Sequence, residues 1–243
     1  MKKIILIFVF SLLLSCSQDS TQNTSSNADG QGGSLAVFAL KGNYLYGVDN
    51  FDLNIFSLIN PSKPVIVNKI SVGFDIETLF SFENNLYIGS RNGMYIYSLE
   101  NPENPTLLSS VFHFTSCDPV VANATNAFVS LHSNTNCGTN LNVLQVYDTT
   151  SLTNPILIHS RNLISPKGMA LYGNSLLVCD DVVKIFDITN PVEPILTNNI
   201  NKECFDLIIR NTDLFAIGSG GVSRYLLNPT NPADITFQSA INF

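Results

Sequence analysis

The sequence has few basic residues. It contains 12 Lys and Arg against 19 Asp and Glu, which gives a net charge of −7 at pH 7. Loss of an N-terminal leader that carries Lys2 and Lys3 would leave 10 basic against 19 acidic residues, a net charge of −9. A chain this acidic lacks the positive surface that attracts nucleic acid, and anionic lipid head groups would repel it. We therefore predict no nucleic-acid partner.

The sequence also lacks the short motifs that mark common catalytic and metal sites. It has no G-x-G-x-x-G, phosphate-binding loop, H-E-x-x-H or G-x-S-x-G, and the GSGG run at 218–221 is typical of a hairpin turn. It has neither a D-x-D-x-D-G calcium loop nor the close C-x-x-C spacing of a zinc site. These absences favour a protein that is not an enzyme, and we predict no cofactor and no metal. A structural calcium ion at a ring of carboxylates is the alternative.

The one long apolar run is too short to cross a membrane. It extends from Ile4 to Leu14 after Lys2 and Lys3, whereas a spanning helix needs about 20 apolar residues. This pattern is typical of a secretory signal. The end of the run, LLSC at 13–16, resembles the lipobox of bacterial lipoprotein signals. We predict that Cys16 is lipidated and anchors the protein by acyl chains to a membrane of the bacterial envelope, outside the cytoplasm. An ordinary signal peptide that is cut near a cysteine is the alternative.

A polar segment follows the predicted signal. Residues 17–34, SQDSTQNTSSNADGQGGS, contain no apolar residue except Ala28. Such a composition cannot bury enough surface to offset the entropy lost on ordering, so it predicts a flexible tether. The remaining residues, 35–243, contain no second linker and fit a single domain. We expect this domain to be monomeric.

A double-proline phrase recurs along the domain, with Asn, Pro and a second Pro three residues later. The second prolines are spaced by 41, 50, 39 and 38 residues and are Pro64, Pro105, Pro155, Pro194 and Pro232. In the third copy Leu152 replaces the first proline, and the longest spacing includes an insertion at 132–140. Asn and Pro favour turns, and an edge strand tolerates a proline where it begins. Each phrase is therefore predicted to be the turn into the outermost strand of a repeated unit.

The segments between the phrases predict strands. They are short, aliphatic, β-branched or aromatic, and they end at Gly, Asn, Asp or Pro, whereas no stretch has the spacing of an amphipathic helix. Repeated units with two apolar faces are stable when they pack face to face around an axis. We predict an all-β fold, a five-bladed β-propeller of four-stranded antiparallel blades, with an open solenoid or a sandwich as the alternative. The predicted blades are residues 35–70, 71–113, 114–162, 163–201 and 202–243.

Two of these repeats resemble a known family. The stretches LYIGSRNGMYIYSLENPENPTLL and LLVCDDVVKIFDITNPVEPILT are similar to the LVIVD repeats of secreted bacterial β-propellers, which combine an aliphatic strand, an Asp and an Asn-Pro-x-x-Pro turn. Residues 116–148 resemble a lipoprotein branch of that family from Bacteroidetes-type bacteria. The resemblance covers 35–243 and implies the propeller fold. It departs at Ser57, in place of the strand-end Asp, and at Leu152. The family offers no established catalytic residues that could be carried over.

Four cysteines remain beside Cys16: Cys117, Cys137, Cys179 and Cys204. An exported protein favours disulfides, and four cysteines allow three pairings. In the blade register, the first and last of the four precede innermost strands, Cys137 lies in the long loop of blade three, and Cys179 ends the second strand of blade four. We therefore predict the pairs Cys117–Cys137 and Cys179–Cys204 on one rim. A buried, unpaired Cys179 is the alternative to the second pair.

Loops that lead into the innermost strands lie at the same end of every blade, opposite the proline phrases, together with the loops between second and third strands. We predict binding at this rim, and its candidate residues are Asp75, Glu77, Arg91, Asp118, His132, Lys167, Asp180, Asp181 and Glu203. Solvated turn residues without a role are the alternative. A zinc site formed by Cys117, Cys137, Asp118 and His132 is disfavoured, because an oxidising compartment favours the disulfide.

The predicted function is that of a membrane-anchored binding or scaffold module whose partner is an envelope protein or a glycan. The first alternative is a carbohydrate-active hydrolase or lyase with its site at the channel mouth. That activity would require the carboxylates of Glu77, Asp118 and Asp181 to converge around an open pocket. The second alternative is a rim that holds a structural ion and binds another envelope protein.

Overall fold

The computed structural model describes residues 32–112, 119–132 and 141–243. Regular structure in these ranges consists of twenty β-strands, and the ranges contain no helix. Blade one contains β1 (Phe38–Lys41), β2 (Tyr44–Val48), β3 (Asp52–Ser57) and β4 (Val65–Ser71). Blade two contains β5 (Ile76–Phe82), β6 (Asn85–Ser90), β7 (Gly93–Ser98) and β8 (Thr106–Phe112). Blade three contains β9 (Val120–Ala122), β10 (Asn126–Leu131), β11 (Val143–Asp148) and β12 (Ile156–Asn162). Blade four contains β13 (Met169–Tyr172), β14 (Ser175–Cys179), β15 (Val183–Asp187) and β16 (Ile195–Ile200). Blade five contains β17 (Asp206–Arg210), β18 (Asp213–Gly218), β19 (Gly221–Asn228) and β20 (Asn231–Ile241).

Each blade is a sheet of four consecutive antiparallel strands. The order in every sheet follows the chain from the innermost to the outermost strand, so the first and last blades are each complete without a strand from the other. The prediction of an all-β chain of five four-stranded antiparallel units is confirmed.

In four of the blades, the short turn between the first two strands contains a residue with a positive φ. In blades one and four the turn between the first two strands contains a glycine, Gly42 or Gly173, with a φ of +55°. Glycine adopts this left-handed conformation without a steric penalty. Glu83 and Asn211 occupy the same turn in blades two and five, with φ values of 49° and 56°. The sequence thus keeps the backbone geometry of this turn even where glycine is absent.

Three hydrophobic clusters join neighbouring blades. The first lies between blades one and two, the second spans blades two, three and four, and the third lies between blades four and five. Tyr46, Tyr87 and Phe128, each the third residue of its blade's second strand, are at most 1% exposed and point toward the following blade. The central layer of the fold is therefore built from face-to-face contacts between sheets.

The junction of blades five and one is different from the other four. Among the described residues, none of the three clusters contains members of both blades. Phe38, which opens the innermost strand of blade one, is 54% exposed. Phe215 occupies the position of Phe128 in blade five, yet it is only partly buried. Within the described ranges, the facing sides of the two terminal blades therefore lack the tight apolar packing seen at the other junctions.

The proline phrases also take part in hydrogen bonds between neighbouring blades. A β-bulge interrupts the pairing of the third and fourth strands at the same place in blades one to four. The residue that follows the bulge lies four positions after the second proline, and it bonds a backbone carbonyl in or beside the phrase of the next blade. These bonds join Asn68 Nδ2 to Glu103 O (2.8 Å), Ser109 Oγ to Leu152 O (2.7 Å), His159 Nδ1 to Val192 O (2.8 Å) and Asn198 Nδ2 to Ala233 O. A bulge re-aims a side chain, so the phrases act as hydrogen-bond acceptors between blades.

Candidate functional site

The chain's own N-terminal segment, residues 32–36, occupies the centre of the ring. The Ser34 side chain is fully buried; its Oγ donates to Asp206 Oδ1 (3.4 Å) and accepts from the Met169 amide (2.6 Å). On the other side, the Leu79 amide donates to Ala36 O (2.8 Å). The segment is therefore bonded to blades two, four and five. The predicted tether includes Gly33 and Ser34, but both are buried, because small side chains fit into this crowded centre.

Two glycines make room for the segment. A Cβ on Gly33 would lie 2.0 Å from Asp206 Oδ2, and a Cβ on Gly168 would lie 2.3 Å from Asp206 Oδ1. The void that remains beside Gly32, Phe80 and Met169 measures about 20 Å³. That volume accommodates about one water molecule. The segment thus closes the channel at this level.

The Asp206 carboxylate holds this arrangement together. It is 8% exposed, and it accepts hydrogen bonds from the Leu207 amide (2.9 Å) and from Ser34. Burial raises the pKa of Asp206 to about 6, although the backbone and Ser34 hydrogen bonds act in the opposite direction. The folded protein therefore favours the protonated carboxyl more than the unfolded chain does.

We expect a pH dependence of stability from this group. Because the pKa is raised in the folded state, the stabilisation is complete below the unfolded value near 4 and is lost as the pH rises through about 6. The loss between pH 4.5 and 7 should be on the order of 2 kcal/mol. Urea unfolding of the wild type and of Asp206→Asn across this range measures it. The variant should lack this contribution, and an identical slope in both proteins would contradict the assignment.

Above the N-terminal segment lies a cavity of about 300 Å³, the rim pocket. Its lining comes from all five blades or the segments that lead into them: Leu35, Glu77, Thr78, Pro119, His132, Lys167 and Phe205. Leu35 belongs to the N-terminal segment and forms part of the lining, so the pocket is at the mouth of the closed channel. A concave site with a few convergent polar groups among apolar ones is the usual form of a ligand site.

Lys167 and His132 are the basic side chains of the rim pocket. The backbone of Lys167 is fixed on both sides, because its amide donates to Cys179 O (2.7 Å) and its carbonyl accepts from Ser130 Oγ (2.5 Å). Burial, and then the charge of Lys167, lower the pKa of His132 below its usual value. The imidazole is therefore neutral at pH 7, and the pocket carries the cationic charge on Lys167.

A disulfide fixes the wall of the rim pocket. Cys179 and Cys204 are bonded, with 5.5 Å between their Cα atoms, as predicted from the blade register. The bond joins the end of β14 to the segment before β17, and both sulfur-bearing residues are buried. Phe205 directly follows Cys204, and Lys167 is hydrogen-bonded to Cys179. The predicted Cys117–Cys137 pair lies outside the described residues, as does Cys16.

Only some of the candidate rim residues line the pocket: Glu77, His132 and Lys167. Asp118 lies outside the described residues. Asp75 and Arg91 form an ion pair (2.8 Å), and the Arg91 amide donates to the Asp75 carbonyl (3.0 Å). This pair joins the loops at the end of blade two. Glu203 is exposed beside the disulfide.

Asp180 and Asp181 have structural partners. Asp180 is 3% exposed, and its carboxylate accepts from the amides of Ile164 (3.0 Å) and Ser165 and from Lys184 Nζ (2.5 Å). Asp181 is exposed and pairs with the same lysine at 2.9 Å. The buried Asp180 carboxylate is not accessible at the rim, contrary to the sequence-based expectation. Asp180 and Asp181 are adjacent in the sequence, but their burial differs because the Asp180 carboxylate is directed into the loop before blade four.

Sequence reasoning missed the apolar half of the pocket. Leu35, Pro119 and Phe205 each lie just before an innermost strand. Their position was a usable signal, because the loops into these strands were predicted to form the rim.

Within the part of the chain that the structure describes, no three His, Cys, Asp or Glu side chains are grouped as a metal site. In the same part of the chain, no helix is long and apolar enough to cross a membrane.

The fold is shared with solved β-propellers. A periplasmic gluconolactonase from Pseudomonas aeruginosa, PpgL, is 11% identical, with a TM-score of 0.64 over 83% of this chain and 68% of that one. A protein from Lactobacillus plantarum is 10% identical, with a TM-score of 0.67 over 82% of this chain and 67% of that one. BamB from Moraxella catarrhalis is 12% identical, with a TM-score of 0.57 over 76% of this chain and 56% of that one. No family model and no curated protein matches the sequence. These similarities confirm the β-propeller fold.

Proposed function

We propose that the protein is an extracytoplasmic lipoprotein of the LVIVD-repeat type, anchored by Cys16, that binds a partner or ligand at the rim pocket. The observation that carries this proposal is the pocket itself. Residues from all five blades converge on a 300 Å³ cavity whose lower end is closed by the N-terminal segment. A closed floor, a disulfide in the wall and mixed polar and apolar lining favour reversible binding at this face.

The anchoring part of the proposal rests on the sequence. The LLSC run at 13–16 and the polar residues that follow it support lipidation and a link to the domain. The repeated Asn-Pro-x-x-Pro turns support the LVIVD type. With a net charge of −9 after loss of the leader, the protein would need acyl chains to remain on an anionic membrane.

The geometry favours binding over catalysis. A carbohydrate-active hydrolase or lyase would need two carboxylates on either side of a bound sugar. Of the three carboxylates named for such a site, Glu77 lines the pocket, Asp181 pairs with Lys184 and is not part of the lining, and Asp118 lies outside the described residues. The gluconolactonase of similar fold is only 11% identical, which supports no transfer of its activity. The rim pocket is therefore better explained as a recognition site.

Photo-crosslinking in native membranes tests the proposal. A photo-reactive residue at position 132, in the rim pocket, should give a discrete adduct with an envelope protein or a glycan. The matched control carries the same residue at position 63, which lies in the proline phrase of blade one at the opposite end of the fold. Its adducts should differ from those at position 132. Identical adducts from both positions, or none from position 132, would argue against a recognition site at this rim.

A further inference from the structure

Lys167 differs from Arg91 and Lys184, two basic residues near the rim that form ion pairs within the protein. Arg91 pairs with Asp75 at 2.8 Å, and Lys184 pairs with Asp180 at 2.5 Å and with Asp181 at 2.9 Å. Among the residues that the structure describes, no carboxylate forms an ion pair with Lys167. Within the described part of the chain, Lys167 therefore lines the cavity without an ion-pair partner. Such a group attracts an anionic ligand, because a charge-assisted hydrogen bond is stronger in a site shielded from water.

A second charged lining residue limits the charge of that ligand. Glu77 lines the same cavity, and a second negative charge on the ligand would be repelled by it. His132 is neutral at pH 7 and adds no second positive charge to the pocket. A pocket lined by one ammonium group and one carboxylate suits a single carboxylate on the ligand better than a dianion.

The remaining lining of the rim pocket favours a ligand with an apolar part. Leu35 is 36% exposed and Phe205 is 42% exposed, and both border the cavity together with Pro119. Covering exposed apolar surface on binding is favourable. The volume of about 300 Å³ corresponds to the low end of the range for small-molecule sites. The ligand is therefore compact.

We propose that the rim pocket binds a small organic monocarboxylate, with its carboxylate at Lys167 and its apolar body against Leu35, Pro119 and Phe205. This inference rests on the rim pocket being the recognition site of the proposed function. It adds the chemical class of the group that is recognised. A larger partner could present the same chemistry as an apolar residue with a terminal carboxylate.

Calorimetric titration of the full mature chain tests the assignment with benzoate as the probe and benzamide as its uncharged isostere. Benzoate should bind at least ten times more tightly than benzamide. Lys167→Met should weaken benzoate binding at least tenfold, because the substitution keeps the length of the side chain and removes its charge. Lys63→Met, in the proline phrase of blade one, should leave binding unchanged. Unfolding curves confirm that both variants are folded.

A second readout reports the position of the carboxylate. Benzoate beside the imidazole should raise the pKa of His132 in an NMR titration, and benzamide should not. The assignment is overturned if benzamide binds as tightly, if Lys167→Met binds benzoate normally, or if inorganic phosphate competes as well as benzoate. If position 132 gives a discrete adduct but the protein does not bind benzoate, the proposal of a carboxylate ligand is overturned and the proposed recognition site stands.

Discussion

Replacing Phe128 with alanine should lower the free energy of unfolding by about 3–5 kcal/mol, whereas Phe215→Ala should cost only about 1–2 kcal/mol. The two phenylalanines occupy the same position in the second strands of blades three and five. Phe128 is fully buried in the cluster that spans blades two to four. Phe215 is only partly buried and belongs to none of the three clusters. The chemical change is the same, so the difference measures how well each junction is packed.

Urea unfolding at equilibrium measures both values, with the slope of the transition as a check that the exposed surface is unchanged. Tyr46→Phe is a useful control in the first junction, because it removes only the hydroxyl that donates to Pro102 O (2.9 Å). Its cost should be about 1 kcal/mol. Equal losses for Phe128→Ala and Phe215→Ala would show that blades five and one pack in solution as tightly as the others do.

Removal of the Cys179–Cys204 disulfide should be the second large perturbation. The bonded cysteines are 25 residues apart, and in the chain-entropy account a loop of this size contributes about 3–4 kcal/mol. The double variant Cys179→Ala, Cys204→Ala is preferred to a reducing agent, because reduction would also act on any Cys117–Cys137 bond. Alanine avoids placing a hydroxyl in the buried sites that the sulfur atoms occupy.

The same variant tests whether the disulfide supports the rim pocket. Lys167 donates its amide to the Cys179 carbonyl, and Phe205 follows Cys204. Benzoate binding should therefore weaken in the double variant under conditions in which the protein remains folded. A stability within 1 kcal/mol of the wild type would contradict the predicted contribution of the bond.

The architecture could be predicted from the sequence because the same local pattern occurs in several repeats. Pro64, Pro105, Pro194 and their equivalents gave the period, and short segments between Gly, Asn and Asp gave the strands. The register of the repeats also places Cys179 beside Cys204. Each of these inferences rests on local patterns, and a repeat presents the same pattern several times.

The details of the site depend on contacts between distant residues, which a single sequence does not encode locally. Ser34 lies in a polar stretch that is typical of a tether, and only its contact with Asp206, 172 residues away, explains its burial. Asp180 and Asp181 differ in burial for a similar reason. The partial exposure of Phe215 depends on whether the last blade packs against the first, and repeat counting alone does not determine that.

The hydrogen bonds between outer strands and proline phrases all run in one direction around the ring. In each, the earlier blade supplies the donor and the later blade supplies a carbonyl, from Asn68 and Glu103 onward. Every internal blade is therefore both a donor and an acceptor of the same type of bond. It follows that a whole repeat could be duplicated between existing blades without requiring a new kind of contact. Gene duplication of single units would then change blade number while the junction chemistry stayed constant.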